Sequence, residues 1–185
     1  LLEVMEMRAE EIKKEVLKIK KKYGTCDPEE ICDAMHIRVS RMPMGTHEKS
    51  CKGFFLVNAR CKQAVINDDL DDLVQRIILP HELGHGVLHL QSGINAFHEL
   101  TYLDETNIME LEANTFAAEF LLDDVTLFEA IAEQLNFFQT ASLLRVPPEL
   151  LDFKLRLLRR EGHSVNPLYI AQSDFLKRNI GRPKN

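Results

Sequence analysis

The stretch that most constrains this chain is LPHELGHGVLHLQ, Leu79–Gln91, which puts three histidines and a glutamate into an otherwise apolar run of Ile77, Ile78, Leu79, Leu83, Val87 and Leu88. On a helix, residues four apart share one face, so His81 and His85 can turn both imidazoles toward a single ion. Glu82 stands about 100° round from His81, where a carboxylate can flank a metal-bound water without being a ligand. Burying three ionisable side chains in an apolar helix is costly unless they have a task. The plainer alternative is a set of core histidines satisfied by hydrogen bonds. His89 continues the series but sits a further turn, roughly 5–6 Å, along the axis. Geometry therefore gives it a supporting place beside the ligands or at the helix end. The extended pattern HExxHxxGxxH is excluded, because Leu88 and Gln91 stand where it needs Gly and His.

A catalytic zinc takes three protein ligands and leaves its fourth position to water, so a third ligand is expected elsewhere. In ELEANTFAAEF, Glu112 precedes Phe116 by four residues and follows Ile108 by four, on the face expected to pack inward. Glu110 falls toward the wetter side. Glu119, two turns on and nearly on the same face as Glu112, remains open by spacing alone. His98, Glu99 and Asp104 lie in an intervening loop, which would fix a ligand less rigidly. Gly84, Gly86, Ala113 and Ala117 are small enough to let the two helices approach closely.

The rest of the chain predicts an α+β fold. Residues 3–22 have helical periodicity closed by Gly24, and Asp27 and Pro28 open a second helix. IRVSRM, GFFLV and QAVIN read as a small antiparallel sheet between Ile37 and Asn67, with KQAVIN as an edge strand. Pro80 predicts a break near Arg76 to Leu79, with the metal-bearing helix effectively starting at Pro80. Residues 92–107 read as a long loop. Helices follow over IMELEANTFAAEFLL, around TLFEAIAEQL, and as a pair within FFQTASLLRVPPELLDFKLRLLRR.

Scattered charges at the start give no leader-like pattern, and no apolar run suggests a membrane span, so a cytoplasmic protein is expected. A net charge of −6 argues against a basic nucleic-acid footprint across the whole domain. Cys26, Cys32, Cys51 and Cys61 lack zinc-knuckle spacing and read as reduced thiols, with Cys51 and Cys61 able to pair if oxidised.

Taken together, HELGHGVLH and the downstream ELEANTFAAEFLL resemble the ImmA/IrrE family of metallopeptidases over residues 8 to 160. The expected organisation is a zincin-like metallopeptidase domain over 1–125, a helical C-terminal subdomain with a helix-turn-helix-like outline over 126–162, and a basic tail over 163–185 that Gly162, Pro167, Gly181 and Pro183 mark as loosely ordered. The resemblance implies His81, His85 and Glu112 as zinc ligands, so favouring Glu112 over Glu119, and Glu82 as the catalytic carboxylate. Mn²⁺ and Fe²⁺ suit the same donor types. His89, His98 and Tyr102 are the candidates to stabilise an oxyanion or support the ligands. The implied substrate is a helix-turn-helix transcriptional repressor; from the strand KQAVIN, just ahead of the histidine helix, a peptide is expected to bind as an extra strand. Two departures from the family pattern are Pro80 and LLDD in place of a terminal Pro, and neither touches a proposed ligand.

Two rival readings remain at this stage. The outline of TASLLRVPPELLDFKLRLLRR is shared with DNA-reading helix pairs, yet its second helix is too apolar to expose a recognition face. A non-catalytic zinc sensor that grips a repressor or DNA would need the ligands but not Glu82.

Overall fold

The computed structural model describes residues 2–47, 50–58, 61–90, 96–99 and 107–165, with backbone alone for 2–7 and 96–99. These form two compact units, Glu3–Leu121 and the chain from Leu122 onward.

The first unit opens with α1 (Leu2–Tyr23), whose inward stripe is Ile12, Val16 and Ile19. It ends where Gly24 adopts φ +68 and donates its N–H to the Lys20 carbonyl at 2.9 Å, a left-handed stop that glycine takes without strain. α2 (Pro28–Ala34) starts on Asp27, whose side chain accepts from the Glu29 N–H. Then come β1 (Ile37–Met42), β2 (Gly53–Asn58), β3 (Cys61–Asn67), α3 (Asp72–Leu88), β4 (Ala96–Glu99) and α4 (Ile108–Leu121).

The sheet order is β1-β3-β2-β4. β2 pairs antiparallel with both β3 and β4, whereas β1 runs parallel to β3. The sheet is thus mixed, because the connection from β1 skips one place before entering β2 and β3 fills the gap. Three expectations change with that topology, the first being that the sheet is not wholly antiparallel, since β1 and β3 run parallel. The KQAVIN strand, β3, is interior with Ala64 to Asn67 buried, so among the described residues the edges are β1 and β4. Ala96–Glu99, expected as loop, is a strand, recruited by the side of β2 that β3 leaves open. The register also separates Cys51 from Cys61. Cys61 sits opposite Asn58 at the turn, while Gly53 lies opposite Ile66 and Cys51 lies beyond it. Five steps of about 3.4 Å already put Gly53 roughly 17 Å from the Cys61 end of the pair, and Cys51 lies further still, too far for a disulfide without rearrangement.

Asn67, fully buried, fastens the β1–β2 connection to this sheet. Its Oδ1 accepts from the Met44 and Asp69 N–H groups, and its Nδ2 donates to the Gly45 and Cys51 carbonyls, all at 2.8–3.0 Å. That clamp sets the approach of Gly53 to α3.

α3 begins at Asp72, with Asp71 capping the Leu73 N–H, and continues through Pro80 to Leu88. The helix therefore does not begin at Pro80. Proline removes one helical hydrogen bond and crowds the preceding turn, at roughly 3 kcal/mol or more. Against this, Ile77 to Gly86 are buried without interruption, and each buried Ile or Leu contributes about 1.5–3 kcal/mol. Burial outweighs the proline. The core joins Ile78, Leu79 and Leu83 of α3 to Phe55, Ala64 and Ile66 of the sheet, to Ile12, Val16 and Ile19 of α1, and to Phe116 and Phe120 of α4.

The two α3 glycines serve different neighbours. A Cβ on Gly84 would lie 3.0 Å from the Phe116 Cβ and 3.3 Å from the Ala113 Cα, so Gly84 admits α4 as expected. A Cβ on Gly86 would meet the Phe55 ring at 2.8 Å, so Gly86 seats α3 on the sheet instead.

The second unit contains α5 (Asp124–Ala132), α6 (Phe137–Leu143) and α7 (Pro148–Arg160). Asn136 and Gln139 form a reciprocal capping box on α6. In α7, Leu150 to Leu155 together with Leu157 and Leu158 are buried or nearly so, which makes it a packing helix. The fully buried Lys154 ammonium pairs with Asp124 Oδ1 at 2.7 Å, tying α7 to α5.

Replacing a mid-helix glycine by alanine ordinarily stabilises a helix by about 0.8–1 kcal/mol. Gly86→Ala is predicted to do the reverse, because the Phe55 ring is buried and overpacking costs about 1–3 kcal/mol. A urea titration checks this, and a raised midpoint would show that the sheet can recede from α3.

Candidate metal centre

Three side chains of the first unit converge. His81 Nε2 and His85 Nε2 are 3.1 Å apart, and Glu110 Oε2 from α4 lies 3.3 Å from the first and 3.5 Å from the second. His81 and His85 are 2% and 1% exposed, and Glu110 is largely shielded.

The partners of the other ring nitrogens fix which atoms carry protons. Asn114 Oδ1 accepts from His81 Nδ1 at 3.0 Å, leaving the lone pair of a neutral His81 on Nε2. His89 Nε2 donates to Glu112 Oε2 at 2.8 Å, so a neutral His89 carries its lone pair on Nδ1. That atom is 3.0 Å from His85 Nδ1, which therefore donates, and the His85 lone pair also falls on Nε2. Burial pushes the His85 pKa down to about 4; the Glu110 carboxylate works the other way, and His81 and His89 add to the lowering. His85 is thus neutral at ordinary pH.

Two nitrogen lone pairs and a carboxylate oxygen face one another at 3.1–3.5 Å in a buried place, an arrangement that calls for a cation among them. Its dimensions suit zinc. Bonds of roughly 2.0–2.1 Å at tetrahedral angles separate ligand atoms by about 3.3–3.4 Å. The chemistry and spacing of the donors both fit a divalent metal.

Glu82 points from α3 toward the first residue of β2. It is wholly buried, and a Cβ on Gly53 would lie 3.0 Å from its Oε1 and 2.4 Å from the Ile78 Cγ2. The bare glycine backbone makes the room that Glu82 occupies.

Glu112 is not beside His81 and His85. Its carboxylate accepts from His89 Nε2 and, at 2.7 Å, from Arg8 Nε of α1. Burial opposes ionisation of Glu112, but the hydrogen bonds from Arg8 and His89 outweigh it and hold its pKa below the usual carboxylate range. The face argument fails because α4 is buried continuously from Ala113 to Phe120, while Ile108, one of the residues used to set the face, is 73% exposed. With so broad a buried surface, spacing from Phe116 does not separate Glu110 from Glu112. A better signal was Asn114, a polar residue in an apolar stretch and one turn after Glu110. Glu119 is buried farther along α4 and does not belong to the converging group.

His89 has both ring nitrogens engaged, by His85 and by Glu112. The His98, Glu99, Tyr102 and Asp104 side chains lie outside the described residues. Glu110, set aside in the sequence as facing the wetter side, and Asn114 and Arg8, not considered there, are the three contributors that sequence reasoning missed.

The family model described as Peptidase M78, IrrE N-terminal-like domain, matches residues 32–156, which include α3, α4 and every converging side chain. An uncharacterized immunity region protein 2 of Bacillus phage phi105 is 34% identical over 143 residues, covering 77% of this chain and 88% of its own. Metallopeptidase ImmA of Bacillus subtilis (strain 168) is 29% identical over 167 residues, covering 85% and 90% respectively. With its paired helices carrying His81, His85 and Glu110, this chain belongs to the ImmA/IrrE family of M78 metallopeptidases.

Proposed function

We propose that this protein is a zinc-dependent endopeptidase that cleaves a helix-turn-helix transcriptional repressor. The observation that carries the reading is the triangle of His81 Nε2, His85 Nε2 and Glu110 Oε2, with the buried carboxylate of Glu82 one residue beyond the first ligand. Glu110 takes the place that the family resemblance gave to Glu112. The repressor, as the finer part of the proposal, is supported by the family resemblance and by a relative named for a phage immunity region. A cytoplasmic location follows from such a substrate and fits the described helices, none of which is long and apolar enough to cross a membrane.

His81, His85 and Glu110 would hold the zinc ion, which would supply Lewis acidity to a water and to the scissile carbonyl. Glu82 accepts a proton as water oxygen bonds to the carbonyl carbon, then delivers it to the leaving nitrogen as the C–N bond breaks. Asn114 keeps His81 in the tautomer that presents Nε2. The substrate enters as an extended segment along β4, the sheet edge whose Glu99 pairs with Gly53, close to Glu82.

Glu82→Gln is expected to bind zinc normally and to lower repressor cleavage by about 10²–10⁴-fold. Cleavage at the parental rate would refute the mechanism. Metal analysis separates the two glutamates: Glu110→Ala is expected to lose stoichiometric zinc, and Glu112→Gln to keep it. The opposite pattern would restore Glu112 as the ligand. Acid stability gives a further check on the metal-free protein. His85 takes a proton near pH 4 when folded and near 6.5 when unfolded, so the unfolded state binds more protons in that window. Stability is therefore present above pH 6.5 and falls as pH drops toward 4, by on the order of 3 kcal/mol, and the lowered pKa of Glu112 acts in the same sense. Urea midpoints of protein held in chelator should follow this trend, and a flat profile would mean that His85 is not kept neutral.

A further inference from the structure

Metal-binding histidines are normally held by a hydrogen bond on the ring nitrogen away from the ion, which fixes tautomer and orientation together. The two histidines here are held in unlike ways. His81 is held directly, by Asn114 of α4. His85 is held by a relay that runs from His85 Nδ1 to His89 Nδ1 at 3.0 Å, from His89 Nε2 to Glu112 Oε2 at 2.8 Å, and from Glu112 Oε1 to Arg8 Nε at 2.7 Å. The far end of the relay lies on α1, outside the segment matched by the family model.

The order of donors follows from the chemistry of each member. A guanidinium only donates, and an ionised carboxylate only accepts. Glu112, gripped by Arg8, therefore requires the N–H of His89 on Nε2. His89 is left with an acceptor at Nδ1, and His85 must place its own N–H on Nδ1. We propose that Arg8, acting through Glu112 and His89, is a positioning residue that holds His85 in the Nδ1–H tautomer, with its Nε2 lone pair on the metal position. The proposal rests on the metal reading above, since tautomer control matters only where Nε2 is a ligand.

The relay explains why a second glutamate stands two residues after Glu110. On α4, Glu110 and Asn114 share a face that meets His81 and His85, while Glu112 is turned toward the last turn of α3 and toward α1. It also gives α1 a task beyond packing. Arg8 is 43% exposed in its side chain, so its removal should leave the core of Ile12, Val16 and Ile19 in place.

The test uses the 185-residue chain, ¹⁵N-labelled and stripped of metal. Long-range ¹H–¹⁵N correlation spectra read the His85 tautomer, and chelator competition reads zinc affinity. The parent protein is expected to show His85 with the proton on Nδ1. Arg8→Ala should admit the Nε2–H tautomer and weaken zinc binding about tenfold, and His89→Leu should weaken it by about 10- to 100-fold. Arg8→Lys should recover most of both signals. An unchanged tautomer in both Arg8→Ala and His89→Leu overturns the proposal, as does a loss of zinc affinity without any change of tautomer. If the parent protein takes up no zinc, the metal reading fails, and the tautomer spectra still decide whether the relay exists.

Discussion

Two imidazole nitrogens and a carboxylate oxygen, each bearing a lone pair and separated by 3.1 to 3.5 Å, repel one another when water is excluded. A cation among them reverses the sign of that interaction. Much of the first unit can be understood as the scaffold that keeps these three atoms together without it. α3 supplies the two imidazole nitrogens one turn apart, α4 supplies the carboxylate oxygen, and Gly84 lets the two helices come within reach. The sheet fixes the other side of α3 through Phe55 against Gly86. Asn67, by bonding the Cys51 carbonyl, anchors the chain just ahead of Gly53, which makes room for Glu82.

The orienting bonds extend this logic outward. Each histidine has its remote nitrogen occupied, His81 by Asn114 and His85 by His89, so both present the same ring atom to the centre. Neutrality has the same origin, because burial that disfavours the imidazolium of His85 leaves it ready for a metal. Cost and function are thus coupled: a helix holding buried ionisable groups and an internal proline is kept helical by the apolar residues around them.

Much of this was legible in the sequence. The i, i+4 pair of His81 and His85 in an apolar helix marks the face on which the two imidazoles meet, and His89, one helical turn on, lies against His85 and Glu112. Caps written in single residues, Asp27 and Asn136 among them, mark helix starts because they act within one turn. What failed depended on tertiary context. Pro80 predicts a helix start when only local cost is counted, but burial on every side keeps α3 continuous from Asp72. Glu110 and Glu112 differ by which neighbour each meets, and α4 is too broadly buried for periodicity to separate them. β4 and the parallel β1–β3 pair are set by which sheet position remains open, a fact that no local pattern of four to six residues carries. Arg8 lies 104 residues from Glu112, beyond any spacing rule.

The central claim is that the metal is held by His81, His85 and Glu110. A crystal structure of the zinc-loaded protein, with the ion located by its anomalous scattering at the zinc edge, tests it most directly. The account predicts one buried ion at bonding distance, about 2.0–2.2 Å, from His81 Nε2, His85 Nε2 and a Glu110 carboxylate oxygen, with Glu112 still on His89 and Arg8. An ion bound to Glu112 or Glu119 instead of Glu110, or no ion between the two histidines, would contradict it.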